Sequence, residues 1–582
     1  GEKLVTGAAD LSLNGGISAT SGTLSSTGGI ISVSNLSAGA AGIINFQGGI
    51  LTLPGGATLA NGASFSTPNT TLNLGGSLAV AGTWSGSNTT SISLTTDNAS
   101  LSSTVALSLA SLQTNGHDFK LDSATSDLTL ANAFALSSGT LSTQGADLIF
   151  AGNADISSEA TLDATVLTGT GGLLEFRQGG TAFGTINARN ATFKIGAAYA
   201  VPGTLRTNGS IPWDLASNLD LSGGTLELGG NVVLDKVLTD NGTTFKLGED
   251  TTVTRNTGFT IGDLEFESYT LTLGSDTTDL TLDIGHSSDN GTGSGSSDNG
   301  TDSGSPSGTL ATVLADLTFT GGFADLPAGI TLSSTDGKIT FEEGGAVNGG
   351  TLNLQDSTLA LGGSFSKTGG SLTLSGTDLE LLSNLSLGSD AAFTVDELRL
   401  EDKTLNLQSV SSFTVADQLV LDNTNEQITW DDNTSLALNG GLKLDTNGEL
   451  TWKNPGNLAI GNITLNGGVL KIGETTGSQT FGLTSNLTLP ADSEIYFNGG
   501  SILNYSGAEV SLGKILTLGG SGQLQNTNDL NLGAGGKLNL SEISVAKVIT
   551  SANSLGLEIE GDSTISNFVV GNITPVSIAS GK

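Results

Sequence analysis

The commonest short pattern along the chain is apolar–polar–apolar, most often Leu-Thr-Leu or Leu-Asn-Leu. Alternation of this kind puts two side chains on one face of an extended strand and one on the other. In the C-terminal half it recurs as Leu352-Asn353-Leu354, Leu372-Thr373-Leu374, Leu398-Arg399-Leu400, Leu419-Val420-Leu421, Leu442-Lys443-Leu444, Ile463-Thr464-Leu465 and Leu487-Thr488-Leu489. Successive starts are 20, 26, 21, 23, 21 and 24 residues apart. In the N-terminal half Leu51-Thr52-Leu53, Leu72-Asn73-Leu74 and Ile92-Ser93-Leu94 lie 21 and 20 apart, and Leu128-Thr129-Leu130 precedes Leu148-Ile149-Phe150 by 20.

A finer period sits inside the coarse one. Leu352, Leu359, Ser364 and Leu372 open tripeptides about seven residues apart, and Gly349-Gly350, Gly362-Gly363 and Gly369-Gly370 punctuate the gaps. Three short strands and three corners per 20–24 residues describe one coil of a solenoid. A three-residue strand cannot hold itself together, but stacked on its equivalent in the next coil it forms a parallel ladder at about 4.8 Å per coil. The predicted fold is therefore all-β, a three-sided parallel β-helix with a narrow Leu/Ile core. A helical reading fails, because no apolar stripe has a 3.6-residue period and Gly is too frequent. An antiparallel sandwich is the alternative, since Asn14-Gly15 and Asn439-Gly440 are also hairpin signals. At roughly 22 residues per coil, about 25 coils would make a rod on the order of 120 Å.

The pattern breaks once. Between His286 and Gly308 apolar side chains nearly vanish, and Ser287-Ser288-Asp289-Asn290-Gly291-Thr292 recurs nine residues later from Ser296. Such a stretch cannot order itself by burying surface. The expected organisation is a solenoid over 1–285, a polar loop or linker over 286–308 and a second solenoid over 309–582, continuous with the first or separate. A calcium loop through Asp289, Asp298 and Asp302 is a weaker reading, because the apolar residue of calcium-binding nonapeptides is missing.

Composition narrows the function. The chain has 582 residues with no Cys and no Met, and 20 Lys and Arg against 56 Asp and Glu give a net charge of −36. Disulfide scaffolds and Cys-ligated zinc or iron–sulfur centres are excluded. So acidic a chain repels phosphate, which argues against non-specific nucleic-acid binding. The 85 Gly follow no collagen period. No run of about 18 apolar residues offers a membrane-spanning helix. A first residue of Gly rather than Met suggests a processed product or an excised fragment.

Candidate chemistry is sparse. His117 beside Asp118 reads as a solvated turn, and His286 opens the polar stretch. The acidic pairs Glu342-Glu343, Glu401-Asp402 and Asp431-Asp432 beside Trp430 are the candidates for polysaccharide-cleaving carboxylates, which need two carboxyls about 5–9.5 Å apart across a sugar. The simpler reading is solvated acids at corners and outward positions. Trp430 and Trp452 lie 22 residues apart at the last tripeptide position, where Leu is usual, so core stacking is expected over an exposed sugar platform. Asn-X-Ser/Thr sequons, among them Asn88, Asn208, Asn290 and Asn433, are frequent enough to arise by chance. No catalytic, cofactor-binding or metal-binding residue is assigned.

The units Gly349-Gly350-Thr351-Leu352-Asn353-Leu354 and Gly369-Gly370-Ser371-Leu372-Thr373-Leu374-Ser375-Gly376 resemble the Gly-Gly-Thr-Leu-x-Leu repeats of bacterial autotransporter passengers, and are similar to filamentous-haemagglutinin-like secreted β-helical adhesins. The resemblance implies a right-handed β-helix exported to the bacterial cell surface. No C-terminal membrane barrel, secretion-domain signature or Arg-Gly-Asp accompanies it. The expectation is a non-enzymatic extracellular adhesin or stalk, meeting surface glycans, a host or neighbouring-cell surface, or copies of itself. A structural subunit of an extracellular filament or surface layer, and a polysaccharide-binding or polysaccharide-cleaving β-helix, are the alternatives.

Overall fold

The Leu-x-Leu tripeptides form strands, and each pairs with the equivalent strand about 21 residues further on. The computed structural model describes residues 2–578 apart from 123–126, 166–171, 190, 208–212, 216, 241, 267–268, 275–278, 284–307, 321–323, 431–433, 454–457, 475–477, 509, 551–553, 561 and 571–575. Three ladders run through the first coils. Thr23–Ser26, Ile43–Phe46, Ser64–Ser66 and Thr83–Ser85 make one. Ile30–Val33, Gly49–Leu53, Thr70–Leu74 and Ser91–Leu94 make the second. Leu36–Ala38, Ala57–Leu59, Leu78–Val80 and Ala99–Ser103 make the third. The protein is a parallel β-solenoid, and its one helical turn among the described residues is Ser87–Thr89. Asn14-Gly15 and Asn439-Gly440 sit at corners between parallel strands, so the sandwich reading is set aside. No helix among the described residues is long and apolar enough to cross a membrane.

The chain divides into two compact units, one holding Gly1–Asp289 and the other Thr312–Lys582, with the residues between them shared out. The polar stretch expected from His286 to Gly308 lies outside the described residues as far as 307, and the calcium reading at Asp289, Asp298 and Asp302 lies there with it.

In the first unit the inward rows are continuous. Leu51, Leu72 and Ile92 stand in register on successive coils, each fully buried, as do Leu53, Leu74 and Leu94. Burying one such side chain contributes about 1.5–3 kcal/mol. Rings stack in the same way further along. Phe150 lies 5.1 Å from Phe134 and 5.0 Å from Phe176, which also meets Phe193 at 5.8 Å and Tyr199 at 4.4 Å between ring centres. The Tyr199 hydroxyl donates to the Ala154 carbonyl at 2.9 Å, and burial raises its pKa. At a corner, Trp84 Nε1 donates to Thr67 Oγ1 at 2.7 Å, and Thr67 and Thr90 hydroxyls meet at 2.8 Å, so these three buried groups are paired across coils.

The second unit uses the same device. Phe319, Phe341, Phe365, Phe393 and Phe413 form one aromatic column with centroid separations of 4.8, 5.7, 6.4 and 6.4 Å. Its strands are not always short. Ser493–Tyr505 and Ile515–Asn526 run through what would be a corner, and their pairing shifts register between Phe497 and Ser501. Gly499-Gly500 occupies that bulge, so a gentle bend replaces a sharp turn.

Candidate functional surface

Beyond the first coils a number of outward positions carry charge, and the solenoid brings opposite signs together. Arg206, Glu227, Lys246 and Glu265 stand in register on consecutive coils. Glu227 is nearly buried between two guanidinium groups: Arg206 Nε lies 2.9 Å from it, and Arg189 also pairs with it. Lys246 reaches Glu265 at 3.2 Å. On another ladder Glu175 is held by Arg177 at 3.0 Å and by Lys194, its register partner, at 3.6 Å. In the second unit Lys338 spans two coils to Glu380 at 3.0 Å, and Arg399 bridges Asp378 and Glu397 at 3.0 and 2.8 Å. Each half-exposed pair contributes at most about 1 kcal/mol. Their main effect is to occupy the few cations with neighbouring acids.

Many remaining acids have a second job that the sequence reading missed. Where the chain turns a corner, an Asp carboxylate accepts the backbone N–H that opens the strand one coil later. Asp10 takes Ile30 N–H at 2.7 Å and Asp118 takes Thr140 at 2.7 Å, while Asp235 takes Asn256 at 2.8 Å within a corner rather than at a strand start. Asp250, Asp316 and Asp492 do the same for Thr270, Lys338 and Ile515 at 2.9, 2.8 and 2.8 Å. These carboxylates are staples between coils, whereas sequence alone leaves them as solvated acids. The signal was available as Asp one coil before a strand start, but only with the coil register in hand.

The singled-out residues fall apart in space or into the core. His117 Nδ1 pairs with Asp97 Oδ1 at 2.9 Å, one coil back, rather than with Asp118. That hydrogen bond holds the Asp97 carboxyl below the usual carboxylate range. Glu342 and Glu343 are both exposed at one corner, and Glu401 and Asp402 at another, where both residues take positive φ. Asp431-Asp432 and His286 lie outside the described residues, as do the sequons Asn208, Asn290 and Asn433, whereas Asn88 is exposed on the helical turn. Trp430 and Trp452 are buried, as expected from their tripeptide position, and Trp452 meets Phe481 edge-on at 5.3 Å. A shallow cleft of about 100 Å³ lies beside Trp430, lined by Gln427, Thr429, Glu449 and Thr451 among others. Among the described residues no three His, Asp or Glu gather into a metal-binding group.

The acids that do meet give the protein its expected pH response. Burial pushes the Asp147 and Asp263 carboxyls up, and the neighbouring Asp127 and Glu265 charges add to this. A raised pKa means the fold takes up these protons more readily than the unfolded chain, so stability increases as pH falls towards it. The Arg399 hydrogen bond lowers Glu397; at Asp445 burial raises, but the Lys443 and Asn466 hydrogen bonds outweigh it and the pKa is lowered. Those two contributions are full above the ordinary carboxylate range and are lost as pH falls through the lowered values. The unfolding temperature should therefore rise as pH falls from neutral through the raised values towards the ordinary carboxylate range, and turn down below about 4. Asp147→Asn should raise the midpoint at pH 7 and flatten the rise. A midpoint that drops steadily from pH 7 would contradict the assignment.

One part of the solenoid departs from all this. From Leu11 to Thr96 there is no Asp, Glu, Lys, Arg or His, 86 consecutive residues in a chain of net charge −36. In these coils the outward rows are mostly hydroxyls and amides, with Ile30, Ile43, Ile50 and Ala79 among them. Ser12, Ser32, Thr52, Asn73, Ser93 and Gln113 form one register row, flanked by Ile30, Ile50, Thr71, Ser91 and Ser111. Ser25, Asn45, Ser66 and Ser85 line the second side. Ser18, Ser37, Thr58, Ala79 and Ser102 line the third. That third side opens into a trough of about 460 Å³ together with Asn35, Gly55 and Ser77. The run was visible in the sequence as missing letters, but only the register shows that it makes three uncharged faces. No family model, curated protein or solved structure matches the chain.

Proposed function

We propose that this protein is a non-enzymatic, extracellular solenoid of the bacterial cell surface, an adhesin or stalk that attaches through its charge-free coils. The observation that carries the reading is the contrast along the chain. Charged coils satisfy themselves through internal ion pairs and Asp staples, whereas the coils over Leu11–Thr96 leave rows of hydroxyl and amide groups facing outward. Ser, Thr and Asn both donate and accept, so such faces form many weak hydrogen bonds to a neutral polar surface. Strength then comes from the number of contacts in one array rather than from a deep pocket. The Gly-Gly-Thr-Leu-x-Leu repeats support placement among autotransporter-like or haemagglutinin-like secreted proteins, and with it an address outside the cell.

The test is attachment of the purified chain to cells and to glycan-coated surfaces. A triple variant with one charge on each neutral side, Ser32→Asp, Ser37→Asp and Ser66→Asp, should bind at least tenfold more weakly while keeping the strand signal in circular dichroism. The same number of acidic substitutions on outward positions of the second unit, such as Thr464→Asp, should leave binding unchanged. Equal loss in both sets, or in neither, would refute the assignment of attachment to these coils.

A further inference from the structure

We propose that Asn14 and Asn61 are sites of spontaneous modification, at which the backbone nitrogen of the following glycine displaces the side-chain amide and leaves an aspartate or isoaspartate in the charge-free coils. The reaction itself is independent of the attachment proposed above; only its consequence rests on that reading.

An Asn-Gly pair reacts with the least hindrance, because glycine has no Cβ to crowd the attacking nitrogen. The glycine nitrogen gives its proton to solvent and bonds to the Asn Cγ, while the amide nitrogen leaves as ammonia and a succinimide ring closes. Water then adds to one ring carbonyl and breaks that carbon's bond to the ring nitrogen. Opening at Cγ gives aspartate; opening at the backbone carbonyl gives isoaspartate, with the main chain routed through the side chain. In sum, asparagine and water give an acid and ammonia, with no oxidation or reduction. Ring closure needs the side-chain amide and the glycine N–H to move together, so a hydrogen bond held by either opposes it.

The stacked coils sort the described Asn-Gly pairs on this criterion. Asn115 Nδ2 donates to Ser93 Oγ and to the Leu94 carbonyl, both at 2.9 Å. Asn348 Nδ2 donates to Asp325 at 3.0 Å, and Asn498 Nδ2 to the Gly473 carbonyl at 3.2 Å. After Asn447, the Gly448 N–H donates to the Asp445 carbonyl at 2.8 Å. Asn466-Gly467 is held twice, by Asp445 at 2.5 Å and by Ser493 Oγ at 2.9 Å. Asn439-Gly440 lacks such bonds among the described residues, but Gly440 is pressed on the coil before it: a Cβ there would lie 2.2 Å from the Asp417 carbonyl carbon. Asn14 and Asn61 differ from all of these. Both are exposed, and among the described residues neither their side chains nor the Gly15 and Gly62 N–H groups have a hydrogen-bond partner. Nothing lies within 4 Å of a Cβ placed on Gly15, whereas one on Gly62 would lie 2.8 Å from the Ala40 carbonyl oxygen, so Asn14 is the freer of the two.

Both sites stand where a new charge has the most effect. They are the two Asn-Gly pairs within Leu11–Thr96. Asn14 turns the chain from Leu11–Leu13 on the second side to Ile17–Ala19 on the third, and Asn61 turns it from Ala57–Leu59 on the third side to Ser64–Ser66 on the first. The products therefore place carboxylates, ionised at neutral pH, at both corners of the side that carries the trough. Their field reaches about 8 Å at physiological salt, over the adjoining ends of all three neutral rows. Fresh chains attach through neutral coils, and older chains lose that neutrality without any enzyme.

The experiment is peptide mapping by mass spectrometry of the full chain during storage in warm, mildly alkaline buffer. Each conversion adds about 1 Da and splits its peptide into aspartate and isoaspartate forms. Asn14 should convert first and Asn61 second, both at least about tenfold faster than Asn115, Asn439 and Asn466. Gly15 has neither a positive φ nor a close neighbour, so Gly15→Ala fits the fold. It should slow Asn14 at least about tenfold and leave Asn61 unchanged. Equal conversion at all these positions, no conversion at Asn14 and Asn61, or an unslowed Gly15→Ala overturns the inference. Attachment is measured on the same samples. Stored wild type should bind more weakly than fresh, Asn14→Asp with Asn61→Asp should reproduce the loss, and Asn14→Ser with Asn61→Ser should store without it. If both asparagines convert in the expected order and attachment does not change, the modification sites stand and the assignment of attachment to these coils falls.

Discussion

Phe176→Ala is expected to destabilise the first unit by about 3–5 kcal/mol, the usual range for deleting a buried ring. Phe176 is fully buried, at the junction of two rows. Its ring meets Phe150 on the preceding coil, and Phe193 and Tyr199 on the following one. A solenoid coil touches only its neighbours, so a cavity there weakens the interfaces on both sides and no distant part of the core compensates. The strands Leu148–Phe150, Leu173–Phe176 and Thr192–Ile195 should lose hydrogen-exchange protection together, because they form consecutive rungs. Phe176→Leu, which keeps most of the volume, should cost less than about 1.5 kcal/mol. Urea unfolding of both variants separates the cases. If Ala and Leu cost the same, the ring column is not what holds these coils together.

The same rows explain how far the sequence could be read. Period two within a tripeptide and period 20–24 between tripeptides are both local properties, so strand positions and parallel stacking followed directly. Leu352 pairs with Leu372, and Leu354 with Leu374, as the spacing requires. Even so, Leu372 and Leu374 are only half-buried. Among the described strand pairs their ladder, from Ile330–Thr335 through Thr351–Gln355, ends on Ser371–Ser375, so nothing pairs beyond them. A tripeptide reports which side chains point inward but not whether a further coil covers them. The merged strand Ser493–Tyr505 was also illegible, because Gly499-Gly500 reads as a corner whether the chain turns sharply or bulges.

The surface was harder to read than the core. An outward Asp means one thing when it faces water and another when the next coil presents a backbone N–H to it, and the difference lies about 20 residues away. Asp250 and Thr270 illustrate this: neither residue marks the other until the coils are stacked. Ion pairs such as Lys338–Glu380 skip a whole coil, so no local charge pattern predicts them. The charge-free coils were the opposite case. Their composition was plain, and their significance came from seeing that almost every other coil uses charge to tie itself to its neighbours.

Gly370→Ala is the second substitution expected to be severe, at about 2–6 kcal/mol, and the reason lies in how corners stack. Gly370 has φ of +64°, and a Cβ there would lie 2.1 Å from the carbonyl oxygen of Gly350, the equivalent glycine one coil earlier. That carbonyl accepts the Ser371 N–H at 2.9 Å, so moving it to relieve the clash breaks the bond that starts the strand. The Gly-Gly pair therefore repeats in the two coils because each corner roofs the one before. Gly369, with φ of +78°, provides the control, since a Cβ there would meet nothing closer than 3.8 Å. Gly369→Ala should cost only the left-handed backbone penalty, about 1–2 kcal/mol. The difference between the two variants, measured by urea unfolding of the full chain, isolates the stacking of corners from backbone strain. Equal costs would mean that the corners of successive coils are independent, and that glycine recurs there for its conformational freedom alone.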